Sequence, residues 1–160
     1  MMGQVINAFW TLLCFLPVVS IWLRYGSQNH LWIIIGLSLA ALAIPSRWIQ
    51  LSTNPVFYQQ LGIRFIRKFV QNGDGYKRKT IIHDAASAMN YMSTIRMYER
   101  FHLYCLLFFF MSTIEALIYS QYLTAALLLA ANVIYNVCPL LLQQYNYARL
   151  KRFEKLNKFH

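Results

Sequence analysis

The run Arg96-Met97-Tyr98-Glu99-Arg100-Phe101-His102, followed without a break by Leu103-Tyr104-Cys105-Leu106-Leu107-Phe108-Phe109-Phe110, decides how this chain folds. Charged side chains give way within one helical turn to residues suited to hydrocarbon. Such a boundary marks a helix leaving a polar medium and entering a bilayer. Residues 101–120 continue the apolar run, and Gln121 and Tyr122 form a tight turn before 123–142 carry an apolar segment back. About twenty such residues suffice to cross hydrocarbon. The two segments are therefore expected to be antiparallel neighbours.

Outward from this hairpin the same reading holds. Residues 5–23 are uncharged and long enough to span, with Pro17 as a site for a kink. The residues before them lack the basic start of a secretory signal, and Trp22-Leu23-Arg24 offers no small-residue cleavage site. Residues 31–45 form a shorter second span, lengthened at its ends by interfacial residues and stopped by Pro45. The expected fold class is all-α, a single integral membrane domain (1–160) with four transmembrane helices. A cytosolic-side segment (46–100) separates spans two and three, and a basic tail (143–160) closes the chain.

Composition agrees. The chain has 160 residues, of which 58% are hydrophobic and only 12% charged, about half the charged share of a soluble domain. Its net charge of +10 would suggest nucleic acid in a soluble protein. With this apolar content, anionic lipid headgroups are the better partner, and no nucleic-acid motif is present. Nine of the fifteen Lys and Arg fall between Arg47 and Arg100 and five between Arg149 and Lys158, with Arg24 alone on the other side. The positive-inside bias then puts both termini and the long segment in the cytoplasm of a bacterial inner membrane. Cys14, Cys105 and Cys138 lie in apolar runs, which implies neither a disulfide framework nor a metal site.

Within the middle segment, Asn54-Pro55 starts a helix. From Val56 to Val70 the apolar residues Tyr58, Leu61, Ile63, Phe65, Ile66 and Phe69 fall on one side at helical spacing, and Arg64, Arg67 and Lys68 on the other. This predicts one amphipathic helix lying in the lipid interface. Gln71-Asn72-Gly73-Asp74-Gly75 ends it, and Lys77, Arg78 and Lys79 add a further membrane-surface cluster.

Glu99 and His102 stand three apart, on one helix face. An imidazole with a carboxylate to orient it is a general base for a hydroxyl. The same spacing also describes a plain interfacial polar pair. The helical rise brings Gln143, Gln144, Tyr145 and Asn146 to their level, with Asn136 near Cys105 to Phe109 and Asn132 deeper. These amides either hold a sugar or carbonyl, or bond helix to helix. Glu115 lies roughly 20 Å from His102 and cannot join them; a structural or partner-contact role suits it. Cys105 reads as a packing thiol. His83-Asp84 is set aside because adjacent helical residues point apart.

Several separated stretches resemble one family. Asn136-Val137-Cys138-Pro139 through Gln143, Tyr145, Asn146, Arg149 and Leu150 is similar to the C-terminal signature of the glycosyl-4,4'-diaponeurosporenoate acyltransferase family. Phe57-Tyr58-Gln59-Gln60-Leu61-Gly62-Ile63 and Glu99-x-x-His102 resemble its middle segments. The resemblance covers roughly Pro45 to the C-terminus. It implies transfer of a fatty acyl group to a sugar hydroxyl of a glycosylated carotenoid or glycolipid, with no cofactor and an acyl donor such as acyl-coenzyme A as co-substrate. It also implies Glu99 and His102 as the catalytic pair, with Asn136, Gln143, Tyr145, Asn146 and Arg149 lining the site. Gln144 and Tyr147 stand where the family's tail carries arginines, which removes two anion contacts. A reading from another class is a non-catalytic accessory subunit of a larger membrane complex, binding helices, pigment or lipid.

Overall fold

Pro45 is where the chain turns from simple apolar helices to the segment that covers the site. The computed structural model describes the backbone of residues 2–69 and 85–157, and the side chains of 8–67 and 90–152. Before Pro45 lie α1 (Met2–Arg24) and α2 (Gln28–Ala40), the latter extended by a 3-10 turn, Ala41–Ala43. Ile44 is extended, as the residue before a proline must be. After Pro45 come three short helices, α3 (Ser46–Ile49), α4 (Pro55–Gln60) and α5 (Ile63–Phe69). No strand occurs among the described residues.

The C-terminal half is a helical hairpin. Helix α6 (Ala85–Ile118) has 34 residues, so it is about 51 Å long, well beyond a hydrocarbon core of about 30 Å. Its return arm is α7 (Tyr122–Asn132), a π-helical turn (Val133–Val137) and α8 (Cys138–Asn157). The stretches Asn90–Ile118 and Tyr122–Arg152 are each long and apolar enough to cross a membrane. Ala8–Arg24 and Gln28–Ala43 are apolar but shorter. Helix α6 stops in a Schellman turn: Gln121 N donates to Ala116 O at 2.8 Å and Ser120 N to Leu117 O at 2.9 Å. Ser120 takes the left-handed conformation there, at φ 55°.

Helices α7 and α8 both pack along α6, α1 lies against α6 and α7, and α2 lies against α6. The main core joins Cys14, Val18 and Ile21 of α1 to Phe109 and Ala116 of α6 and to Leu128 and Tyr135 of the return arm. Toward the α6–α7 turn Trp22 Nε1 donates to Ser112 Oγ at 3.0 Å. There Glu115, buried, pairs with His30 Nδ1 at 3.0 Å, so Glu115 has a structural partner on α2.

The single amphipathic helix expected over 56–70 is two helices. Leu61 N and Gly62 N close α4 on Phe57 O and Gln59 O, and Gly62 O then accepts from Phe65 N and Ile66 N to open α5. Gly62 turns the chain at φ +76°, with open space where a Cβ would stand, so backbone conformation and not crowding requires glycine. The break splits the apolar set. Tyr58 and Ile63 are buried against Leu142, Tyr145 and Ala148 of α8, whereas Val56, Phe57, Leu61 and Phe65 are exposed. Asn54 caps α4, its Oδ1 accepting from Val56 N at 3.0 Å, with Pro55 at the first position. The turn proposed for 71–75, the cluster Lys77, Arg78 and Lys79, and His83-Asp84 lie outside the described residues, as does the side chain of Lys68.

Candidate functional site

Helix α6 carries Arg96, Glu99 and His102 at steps of three, so they line one face. That face meets the π turn and α8. Glu99 and His102 are 0% and 1% exposed, and Asn136, opposite, is 0% exposed.

Glu99 does not bond His102. Its Oε2 accepts from Arg96 Nη1, one turn back on α6, and Oε1 has no partner. The expectation that Glu99 orients the imidazole by direct contact therefore gives way to an Arg96–Glu99 pair. Arginine wins because it brings a permanent charge and a fork of donors, where a neutral imidazole brings one N–H. The guanidinium is itself held, with its carbon 3.6 Å from the centre of the Tyr147 ring.

The His102 ring is set by the return arm. It lies within reach of the Asn136 side chain and the Tyr135 main chain, with the Tyr135 ring edge-on at 6.0 Å. Neither His102 Nδ1 nor Asn136 Oδ1 makes a hydrogen bond of ordinary geometry. The local sequence supplies a reason for the exposed main chain. Pro139 has no N–H, so the carbonyl four residues back, Tyr135, loses its α-helical donor. Over the same residues the helix widens to a π turn, in which Cys138 N donates to Val133 O. Such turns often mark functional sites.

Asn136 Nδ2 donates to Asn132 Oδ1 at 2.8 Å, and Asn132 Nδ2 donates to Leu106 O at 3.1 Å. Asn132 thus occupies the level expected for Asn136, and Asn136 stands one turn further in, beside His102. The shift follows from the hairpin: α6 ends at Ile118, two residues before the expected end of the span.

Of the other expected site residues, Gln143 is buried between Asn136 and Tyr147 along α8, which by register sets it at the level of Glu99. Tyr145 is buried on a different face, beneath α4 and α5, where Gln59 Nε2 donates to its Oη at 3.5 Å. Arg149 is exposed, 5.6 Å from the Tyr145 ring centre. Asn146 is half-buried. Tyr145 and Arg149 therefore belong with the covering segment, not with His102. Among the membrane-surface residues, Arg64 is exposed and donates to Gln59 Oε1 at 3.2 Å, and Arg67 is half-buried and partnered.

Gln144, read from sequence as a missing arginine, is a clamp. Its Nε2 donates to Ile49 O at 2.9 Å, and its Oε1 accepts from Leu51 N and Tyr58 Oη, both at 3.2 Å. The single Tyr58 O–H is shared between this oxygen and Ser52 O, which lies nearer at 2.8 Å. The segment after Pro45 is thereby fastened over α8. Burial pushes the Tyr58 phenol up from its usual range and the nearby Glu99 charge adds to this, while the Ser52 main chain and Arg96 oppose it; the phenol stays neutral at physiological pH. Tyr58 and Arg96 were not assigned roles from sequence. The available signal for Arg96 was its place three residues before Glu99.

Among the described residues no three His, Cys, Asp or Glu side chains converge as a metal site. Residues 45–155 match the model of the glycosyl-4,4'-diaponeurosporenoate acyltransferase family, and the chain belongs to that family. No curated protein and no solved structure matches it.

Proposed function

We propose that this member of the glycosyl-4,4'-diaponeurosporenoate acyltransferase family transfers a fatty acyl group to a sugar hydroxyl of a glycosylated carotenoid or glycolipid. The observation that carries the reading is a set of three polar atoms. Among the described residues four buried side-chain oxygens and nitrogens lack partners. Three of them, Glu99 Oε1, His102 Nδ1 and Asn136 Oδ1, belong to residues where α6 meets the return arm. Buried polar atoms are nearly always bonded, and each orphan costs about 1–3 kcal/mol. A substrate hydroxyl is a group that would meet them.

The chemistry follows from the ring. The Tyr135 main chain lies within reach of the ring, and the unpartnered His102 Nδ1 takes the proton of the attacking sugar hydroxyl. The hydroxyl oxygen bonds to the acyl carbon of an activated donor, a thioester such as acyl-coenzyme A. As the carbon–sulfur bond breaks, the imidazolium returns its proton to the leaving thiolate. Asn136 gives one of its two N–H groups to Asn132, and its unpartnered oxygen suits a hydroxyl donor. Gln143, buried at the level of Glu99, is a second amide suited to polarise the acyl carbonyl.

In this reading four helices span the bacterial inner membrane with both termini cytoplasmic. The exposed Trp48, Leu51 and Phe65, with Arg47 and Arg64, rest on anionic headgroups. A general base contributes about 10²–10⁴-fold. His102→Ala, in cells that make the glycosylated acceptor, is expected to lower the acyl ester at least a hundredfold by mass spectrometry. Undiminished ester overturns the mechanism.

One observation favours the accessory-subunit reading: Glu99 and His102 are buried within the chain itself, as polar glue between helices would be. Under that reading the substitution leaves the pigment pattern intact, and other membrane chains co-purify with the protein.

A further inference from the structure

We propose that Arg96 is a positioning residue for Glu99, held in place by the face of Tyr147, and that it leaves one carboxylate oxygen free for the substrate; this rests on the acyl-transfer reading above. Glu99 has two possible partners on its own helix, Arg96 one turn back and His102 one turn ahead. It bonds Arg96 through Oε2, and Oε1 stays without a partner although buried. A carboxylate that served only to neutralise a half-buried arginine would be free to offer both oxygens to the fork. Here a single oxygen does so.

The guanidinium is fixed from its other side. Tyr147 is 8% exposed, and the Arg96 guanidinium carbon lies 3.6 Å from its ring centre, with Lys151 Nζ at 5.3 Å. A cation over an aromatic face is attracted by the ring quadrupole. The planar guanidinium stacks there in a way an ammonium group does not. The chain of support therefore runs from Tyr147 on α8 through Arg96 to Glu99, and ends on a buried oxygen without a partner. Tyr58 on α4 completes the surroundings, close enough to Glu99 and Arg96 to feel both charges. Without Arg96 the Glu99 side chain is released to pair with His102, which would occupy the base.

The test is steady-state kinetics of the purified full-length chain in lipid vesicles, with a glycosylated carotenoid acceptor and a fatty acyl thioester. Arg96→Ala is expected to lower kcat at least tenfold with KM changed less than threefold. Added guanidinium ion restores part of that loss. Glu99→Gln is expected to lower kcat by a similar factor, and the double variant to be no worse than either alone, as for groups that act as a unit. Tyr147→Leu follows Arg96→Ala in direction, and Tyr147→Phe retains activity. Multiplicative losses in the double variant, or a rise in KM alone, overturn the positioning role while leaving the acyl-transfer reading in place. No ester from the unaltered protein overturns that reading and this proposal with it.

Discussion

Replacing Pro139 by alanine is expected to make this protein more stable and less active. A proline inside a helix costs about 3 kcal/mol relative to alanine, through its missing N–H and its clash with the preceding turn. Pro139 lies one residue inside α8, and its ring is fully buried. Truncation to alanine removes about two methylenes of burial, at about 0.8 kcal/mol each. The difference is a net gain of roughly 1 kcal/mol, or a rise of about 2–4 °C in Tm for a chain of this size. The restored N–H at 139 would bond the Tyr135 carbonyl, convert the π turn toward regular helix and withdraw that carbonyl from His102. Misplacing a catalytic group by about 1 Å can cost 10²-fold, so the acyl ester should fall by one to two orders of magnitude. Thermal unfolding of the full chain in detergent and mass spectrometry of the ester read the two effects. A variant less stable than the parent, or more stable and fully active, would refute the link from Pro139 to His102.

The other predictions concern the supports of the site. Gln144→Leu removes three hydrogen bonds to Ile49, Leu51 and Tyr58. With about 1–3 kcal/mol for each main-chain group left unsatisfied, amide hydrogen exchange should accelerate across 46–61; unchanged exchange would show that the clamp is idle. Gly62→Ala meets no atom but forces φ +76° on an L-residue, a cost of about 1–2 kcal/mol read as lowered Tm, and Gly62→Asn should lose less. Glu115→Gln weakens the contact with His30, which is 54% exposed, so the loss should stay below about 1 kcal/mol. Acyl transfer should be unaffected, because the pair lies roughly 20 Å from His102; a large loss of ester would place Glu115 in the reaction.

How much of this was legible in the sequence differs by element. The α6–α8 hairpin was, because apolar runs flanking a two-residue turn leave few alternatives. The shared face of Glu99 and His102 was legible from spacing alone. Their bonding was not, because spacing treats a partner at i−3 and one at i+3 alike; only the stacking of Arg96 on Tyr147, contributed by a helix fifty residues away, separates them. Gln144 was misjudged for a related reason. Compared with a family pattern it looked like a lost charge, yet its buried amide both donates and accepts, which no arginine can do. The break at Gly62 was open to inspection, since glycine amid an amphipathic run is a known turn signal. The apolar periodicity on both sides of it masked the signal. The π turn had a sign as well, in Pro139 standing four residues after Tyr135.

The choice between catalyst and structural subunit turns on how differently the two polar groups at this end of the molecule are treated. Gln144 makes hydrogen bonds with both ends of its amide and ties a loop to a helix, as a polar residue retained for architecture should. Glu99, His102 and Asn136 are as deeply buried, yet each keeps an atom without a partner. A buried ionic group is seldom a net source of stability, and apolar residues of like volume often serve as well or better. A contact kept only to hold α6 against α8 would gain from satisfying those atoms or replacing them, and Gln144, bonded at both ends of its amide, shows that α8 accommodates a satisfied amide. Incomplete bonding at Glu99, His102 and Asn136 is what the proposed acyl-transfer site requires of them. Stability measurements separate the two roles without any substrate. If His102→Leu and Glu99→Met, made with Arg96→Met to avoid a stranded charge, raise the Tm of the chain in detergent, the cluster is maintained at a cost to stability and architecture is not its purpose. If the same substitutions lower the Tm by more than about 5 °C, the polar cluster is helix glue and the subunit reading gains.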